Sequence, residues 1–510
     1  MLQVQLLCWM VDGRPGKMTI QENKVIPNEI MNWVNGEEIP AESRQTFDNL
    51  SPHSGKELCK VARSTKLDID KSVSIAKQAQ IKWGNTPAVQ RGYLLHQICN
   101  ALEKQKTEVA SIVALETGKS LQEALGETGG AIALGRFYAG EGQRLYGRTT
   151  TSGVDNKYAS TIRQPCGVAG LIIAANTPIA NVAWKAFPAL ICGNSVVLKA
   201  AEDTPATAWI FAKIAHEVGL PPGTLNIIQG YGEEAGAPLV ENQDVDVISF
   251  TGSTCVGRWI AEMAGKRLAK VSLELGGKNP LIVCDDADLN NAVNWVILSA
   301  FSNAGQRCAS GSRIIIFDSI YEAFKQKLRD ATAALKVGPN DGDDLGPVIN
   351  ERQLTNMLTA ISAAEEAGVS VLSGGRRLDG GAHKNGFYMA PTLIEGVDSK
   401  DEISRNEMFG PIAILYRVKD FSEALELAND SPYGLTACIH TKNYHRAMEF
   451  SHKAKSGVVV VNAGTYGSEP HMPFGGMRQS GNGSREPGTE ALDIYSELKD
   501  IYMIVDPTQL

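Results

Sequence analysis

Residues 245–277 read VDVISFTGSTCVGRWIAEMAGKRLAKVSLELGG, and this stretch decides the fold. A β-prone run, Val245–Phe250, breaks at Thr251, Gly252 and Ser253; a helical segment, Val256–Ala264, follows, and then a second β-prone run, Val271–Leu275. Strand, helix and strand within about thirty residues is the pattern of two parallel strands joined by a crossover helix. Toward the N-terminus the alternation recurs: Gly170–Ala174, Ser195–Leu198 and Leu225–Ile228 are short β-prone runs between Ala-, Glu- and Leu-rich segments. Toward the C-terminus a second series contains Leu281–Val283, Ser312–Phe317, Ala413–Arg417 and Val458–Val461. The expected class is α/β, with two doubly wound α/β domains. Residues 86–125 carry apolar side chains at helical spacing (Leu94, Ile98, Leu102, Val109, Ile112, Val113), and Gly126–Gly130 is expected to interrupt them. Tyr146–Arg163 and Leu492–Val505 show strand-like rather than helical character and are expected to form a small protruding β element.

The 510 residues, 43% hydrophobic and 21% charged, have room for a large core and are not the composition of a disordered or collagenous chain. Acidic residues exceed basic ones, 57 to 49, so nothing draws the chain generally to nucleic acid or anionic lipid. No window holds the roughly 18 consecutive apolar residues of a membrane-spanning helix. The apolar patch Val4–Val11 has no basic region before it and is followed by Asp12 and Arg14, which makes a poor signal peptide. Residues 1–17 are expected to be a flexible extension. The nine cysteines are odd in number and form no C-x-x-C pair or Cys/His cluster suited to zinc. They suggest a reducing, cytoplasmic setting without a bound metal.

Three segments carry chemistry. In FTGSTCVG (250–257) small residues at a strand-to-helix turn leave backbone amides free for a pyrophosphate, although an ordinary capped turn uses the same Ser and Thr. In ELGGKNP (274–280) a carboxylate ends an apolar strand, where desolvation raises its pKa toward a general-base range; an ion pair with Lys278 is the alternative. In FSNAGQRCAS (301–310) Cys308 lies among small and polar residues beside Arg307, a setting for a reactive thiolate, whereas most single cysteines are inert core residues. Two other motifs fall short. GYGEEAG (230–236) has one residue too many for G-x-G-x-x-G and reads as a tight turn, and TGKS (117–120) has Val113 where a P-loop needs glycine.

Glu274 in ELGGKNP and Cys308 in GQRC, 34 positions later, resemble the signatures of the NAD(P)-dependent aldehyde dehydrogenase superfamily. The resemblance extends from NWVNG (32–36) to PFGG (473–476). It implies a Rossmann-like NAD-binding domain (18–145 and 164–275), a catalytic domain (276–482) and an oligomerisation element (146–163 and 483–510) that builds a homodimer or homotetramer. It implies Cys308 as nucleophile, Glu274 as the base that activates water, and Asn176 as an oxyanion-hole donor. Lys199 and Glu202 fall where the family binds the adenosine ribose, Gly232, Gly236, Gly252, Ser253 and Gly257 near the rest of the cofactor, and Glu407 and Phe409 at the nicotinamide ribose. The carboxylate of Glu202 favours NAD over NADP. By the same resemblance Asn181, Trp184, Arg307, Ala309, Tyr466 and Ser468 line the substrate tunnel, with His471 close. They are more polar than a fatty-aldehyde tunnel, which suggests a small polar or carboxylate-bearing semialdehyde. Ala200 replaces a usual proline, and Cys255 an often acidic residue. One extra residue after Gly483 leaves open whether Glu486 pairs with Lys185 as a proton relay. A CoA-acylating relative would not need Glu274, and a structural member would tolerate loss of the catalytic pair; both residues are present.

Overall fold

The computed structural model describes residues 25–509; the expected extension at 1–17 lies outside them. Valine-, isoleucine- and leucine-rich runs form a seven-stranded sheet in the order Lys270–Glu274, Val247–Thr251, Val168–Ile172, Ser195–Lys199, Leu225–Ile228, Asn32–Val34, Glu37–Ile39. The first five strands are parallel and the last two antiparallel. Val168–Ile172, Ser195–Lys199 and Leu225–Ile228 are buried throughout, which is why their apolar residues run continuously and do not alternate. The chain winds outward from Val168 to Ile228, then returns to place Val247–Thr251 on the other side of the first strand. That reversal opens a crevice at the carboxyl ends of the strands, the usual ligand position in such sheets.

A second seven-stranded sheet has the order Ser370–Ser373, Thr392–Glu395, Ile412–Val418, Gly311–Phe317, Asn279–Val283, Thr436–His440, Val458–Val461. All pairings are parallel except that of the Ser370–Ser373 edge. The sequence pattern missed three of these strands, each only four or five residues long: Ser370–Ser373, Thr392–Glu395 and Thr436–His440. Thr149–Thr151, Lys157–Pro165 and Ser496–Ile504 form the small antiparallel sheet expected from the two alternating segments. Its last strand starts later than expected, because Ala491–Tyr495 is a helical turn whose Ala491, Leu492, Ile494 and Tyr495 are buried. Among the described residues no helix is long and apolar enough to cross a membrane.

The helical region contains α1 (Ala88–Lys104), α2 (Lys106–Thr117) and α3 (Leu121–Glu141), followed after the first strand of the sheet by α4 (Pro178–Ile191). The expected interruption at Gly126–Gly130 does not occur, and α3 runs through it. Ser120 caps α3 by accepting from the Glu123 amide at 3.2 Å, and the buried face of Ala124, Thr128, Ala131 and Ile132 holds the helix against its neighbours. This packing offsets the roughly 1 kcal/mol that each interior glycine costs. The break falls instead at Gly118, which ends α2 in the left-handed region at φ 74°.

Gly135 is needed where it stands, since a Cβ there would lie 2.6 Å from both the Cys99 sulfur of α1 and the Phe187 ring of α4. Gly126 is exposed and faces open space. Gly135→Ala should therefore destabilise the fold by about 1–3 kcal/mol through overpacking, whereas Gly126→Ala should stabilise it by about 0.5–1 kcal/mol. Thermal midpoints of the two variants moving in opposite directions is the expected result.

Candidate active site

The nucleophile loop begins where the helix Leu289–Phe301 ends. Asn303, Ala304 and Gly305 follow with φ of 52°, 51° and 69°, three consecutive residues in the left-handed region. Asn303 and Ala304 are strained there, at about 1–2 kcal/mol each. The loop keeps that shape because it is held at many points. The Asn303 amide donates to Glu123 Oε1 at 3.0 Å, and Ser310 Oγ donates to the Gly305 carbonyl at 2.9 Å. From the GGKNP segment below, Asn279 Nδ2 donates to the carbonyls of Cys308 (2.7 Å) and Ser310 (2.9 Å).

Glu274 ends its strand with 4% of its surface exposed, and neither carboxylate oxygen has a hydrogen-bond partner. Burial, reinforced by the charge of Glu486, pushes its pKa well above the ordinary carboxylate range. It forms no ion pair with Lys278, whose own pKa is lowered to about 7 by burial and by Arg313. Cys308 departs from expectation in protonation. Burial pushes its thiol up to about 12, with Glu407 and Glu274 adding to the effect, so Arg307 does not hold a thiolate in the resting site. The Arg307 guanidinium is turned elsewhere: it lies 5.1 Å over the Tyr466 ring and 3.6 Å from Glu123.

Asn176 precedes α4, and its Nδ2 donates to the Gln306 carbonyl at 3.0 Å, which places it beside the nucleophile loop. The wall next to Cys308 is more aromatic than expected. Ala309, Leu435 and Phe474 are buried together, with Trp184, Cys308, Val458 and Tyr466 packed against them. Trp184 meets Phe474 edge to face at 5.4 Å. Asn181 is buried, and its amide is spent on Thr177, at 2.9 Å to the carbonyl and 3.0 Å to the hydroxyl. Ser468 is exposed, and His471 is also exposed, 3.5 Å from Glu469.

The remaining candidates lie along the first sheet and the segments that follow it. Val247–Thr251 leads into helix α5 (Thr254–Lys266), whose N-cap Ser253 accepts from the Val256 amide at 3.4 Å. The amides of Thr254 and Cys255 precede the first intrahelical bond and are available to an anion. Gly252 donates to the Glu274 carbonyl at 3.1 Å, and Gly257 packs on Leu275. Gly232–Gly236 forms a π-helical turn, with Gly232 facing open space. Lys199 is buried 2.9 Å from Glu202. Burial raises the Glu202 pKa, but the Lys199 charge and hydrogen bond outweigh it and hold the carboxyl below its ordinary value. Burial and Glu202 push the adjacent Asp203 up to about 6. Glu407 accepts from the Gly277 amide at 3.0 Å, and burial pushes it up to about 7. Phe409, two residues on, has φ 55°. Despite the extra residue after Gly483, Lys185 and Glu486 meet at 2.9 Å, both fully buried, and Ser249 and Tyr495 complete their hydrogen bonds.

The profile described as the aldehyde dehydrogenase family matches residues 39–501. The chain belongs to the aldehyde dehydrogenase family. It is 38% identical over 479 residues to the α-ketoglutaric semialdehyde dehydrogenase of Bacillus subtilis, covering 93% of this chain and 98% of that protein. The α-ketoglutarate semialdehyde dehydrogenase of Haloferax volcanii is 37% identical over 92% of this chain and 98% of its own. The betaine aldehyde dehydrogenase of Staphylococcus aureus in complex with NAD+ superposes with a TM-score of 0.91 at 32% identity, covering 94% of this chain and 95% of that one.

In this aldehyde dehydrogenase two residues outside the sequence-predicted set also contact the site. Lys119 lies in the TGKS motif set aside as a failed phosphate loop, and its ammonium reaches the Asn176 carbonyl at 2.8 Å and Glu127 at 2.6 Å. Glu123 holds Asn303 and faces Arg307. The one available signal was the Ser120-x-x-Glu123 spacing of a capped helix start. With its pKa near 12, Cys308 should be alkylated slowly at pH 7 in cofactor-free enzyme. The rate should rise about tenfold per pH unit from pH 7 to 10 as the thiolate fraction grows. Peptide mass spectrometry of iodoacetamide-treated enzyme measures this, and a rate that levels off between about pH 9 and 10 would show an unperturbed thiol.

Proposed function

We propose that this enzyme oxidises a small carboxylate-bearing semialdehyde to the acid, using NAD and releasing the product by hydrolysis. The observation that carries the reading is Glu274, a buried carboxyl group without a hydrogen-bond partner whose charge reaches Cys308. A raised pKa suits it to take a proton from a water, and a CoA-dependent reaction would leave it without a task. Cys308 attacks the aldehyde carbon as the thiolate, its proton lost to solvent. The Asn176 amide and the Cys308 backbone N–H receive the developing alkoxide, each worth about 10²–10³ in rate. NAD, when bound, supplies the acceptor for the aldehyde hydride. Glu274 then deprotonates the water that hydrolyses the Cys308 thioester, and Glu486 and Lys185 stand behind it to pass the proton on.

The crevice suits a dinucleotide. The amides of Thr254 and Cys255 offer a pyrophosphate site, Lys199 and Glu202 suit a ribose diol, and Glu407 with Phe409 suits the nicotinamide ribose. A 2′-phosphate would meet the Glu202 charge, which favours NAD over NADP. Segments 18–145 and 164–275 make the cofactor domain and 276–482 the catalytic domain. Segments 146–163 and 483–510 join subunits into a homodimer or homotetramer; exposed Tyr158, Ile162, Leu498, Tyr502 and Ile504 on that sheet support this. The eight described cysteines, all unpaired, support a cytoplasmic setting.

The substrate class rests on Arg307, a cation that lies over the Tyr466 ring of the aromatic wall beside Cys308, and agrees with the semialdehyde names of the two relatives. Arg307→Gln should lower kcat/KM for a carboxylate-bearing aldehyde about 10- to 100-fold relative to an uncharged analogue of equal length, as expected for a lost charged hydrogen bond. Equal losses for both substrates would refute the assignment. Glu274→Gln should retain acylation and stall hydrolysis, giving a burst of about one NADH per site and a trapped acyl-enzyme mass. An unchanged steady-state rate would show that another base serves.

A further inference from the structure

Lys119 and Glu127 form a buried ion pair that the reaction itself does not use. Their side chains are 3% and 7% exposed, with nitrogen and oxygen 2.6 Å apart. Thr177, the N-cap residue of α4, makes no side-chain cap. Glu127 does that work from outside, Oε1 accepting from the amides of Ile179 (3.1 Å) and Ala180 (3.3 Å). Lys119 Nζ donates to the Asn176 carbonyl at 2.8 Å, and Asn303 Nδ2 reaches the same oxygen at 3.2 Å. The backbone is therefore gripped at the carbonyl of Asn176 itself and again three and four residues on, next to the residue whose side chain donates to the nucleophile loop. A buried Lys–Glu pair is often no more stabilising than apolar residues of equal volume, and the turn between α2 and α3 already has its own caps in Gly118 and Ser120.

We propose that Lys119 and Glu127 are positioning residues for the Asn176 amide, fixing it where the alkoxide develops. This rests on the reading of Asn176 as an oxyanion donor. A displacement of about 1 Å at such a donor costs on the order of 10²-fold in rate, so the pair acts on kcat through Asn176.

The test is a double-mutant cycle in the full-length enzyme, with Lys119→Met, Asn176→Ala and the double variant assayed at saturating NAD and aldehyde. Lys119→Met should lower kcat about 10- to 100-fold, leave the KM for NAD unchanged, and add nothing further to Asn176→Ala. Lys119→Arg should recover part of the loss. If the two losses multiply, or if Lys119→Met stays within about twofold of wild type, the proposal is overturned. Lys119→Met leaves a buried carboxylate uncompensated. If it does not fold, Glu127→Gln, of the same shape and able to accept from Ile179 and Ala180, takes its place in the cycle under the same criteria. Full activity in Asn176→Ala would instead refute the oxyanion reading and the proposal with it, so the two failures are told apart.

Discussion

Lys185 and Glu486 are 301 residues apart in sequence and neither touches solvent, so each charge is tolerable only beside the other. Removing one partner of such a pair typically costs about 3–5 kcal/mol. The pair fastens the segment after the second sheet to helix α4 and, through Ser249, to the first sheet. Along the way the Glu486 amide donates to the Phe474 carbonyl at 2.9 Å, the Leu275 amide to the Ser480 carbonyl at 3.0 Å, and Thr254 Oγ1 to the Gln479 carbonyl at 3.0 Å. Residues 474–486 thus form the floor on which Glu274 sits, and Glu486 is the nearest reason, after burial, that its carboxyl resists ionising.

Burial acts the same way on four ionisable groups at and below Cys308. The Cys308 thiol and the Glu274 and Glu407 carboxyls rise, and the Lys278 ammonium falls. All four shifts favour the neutral form, so these groups carry less charge than they would in water. Preorganised donors gain most in such surroundings, since no mobile water competes with them for a developing negative charge.

The fold was legible where burial leaves a local signature. Strands such as Val168–Ile172 and Leu225–Ile228 lie under helices on both sides, and their unbroken apolar runs announce it. Glu274 and Cys308 stood out because a carboxylate on an apolar strand and a cysteine among small residues are locally odd. The failures were nonlocal. The glycines at 126–130 read as a break because their compensation comes from α1 and α4, which no window around them contains. Arg307 is adjacent to Cys308 in sequence, yet its charge is taken up by Glu123 and Tyr466, so adjacency overstated its influence on the thiol. Lys119 was set aside because its task is defined by a carbonyl 57 residues away.

Tyr495 places its hydroxyl 2.7 Å from Glu486 in the interior, and the next residue, Ser496, begins the exposed edge strand. A single peptide bond joins the deepest polar network of the molecule to its rim. A displacement of Ser496–Ile504 is therefore one residue away from the Glu486 carboxyl. For protein engineering, a truncation or fusion junction placed before Ile504 would disturb the proton-handling interior as well as the surface, so appended cargo belongs beyond the end of that strand.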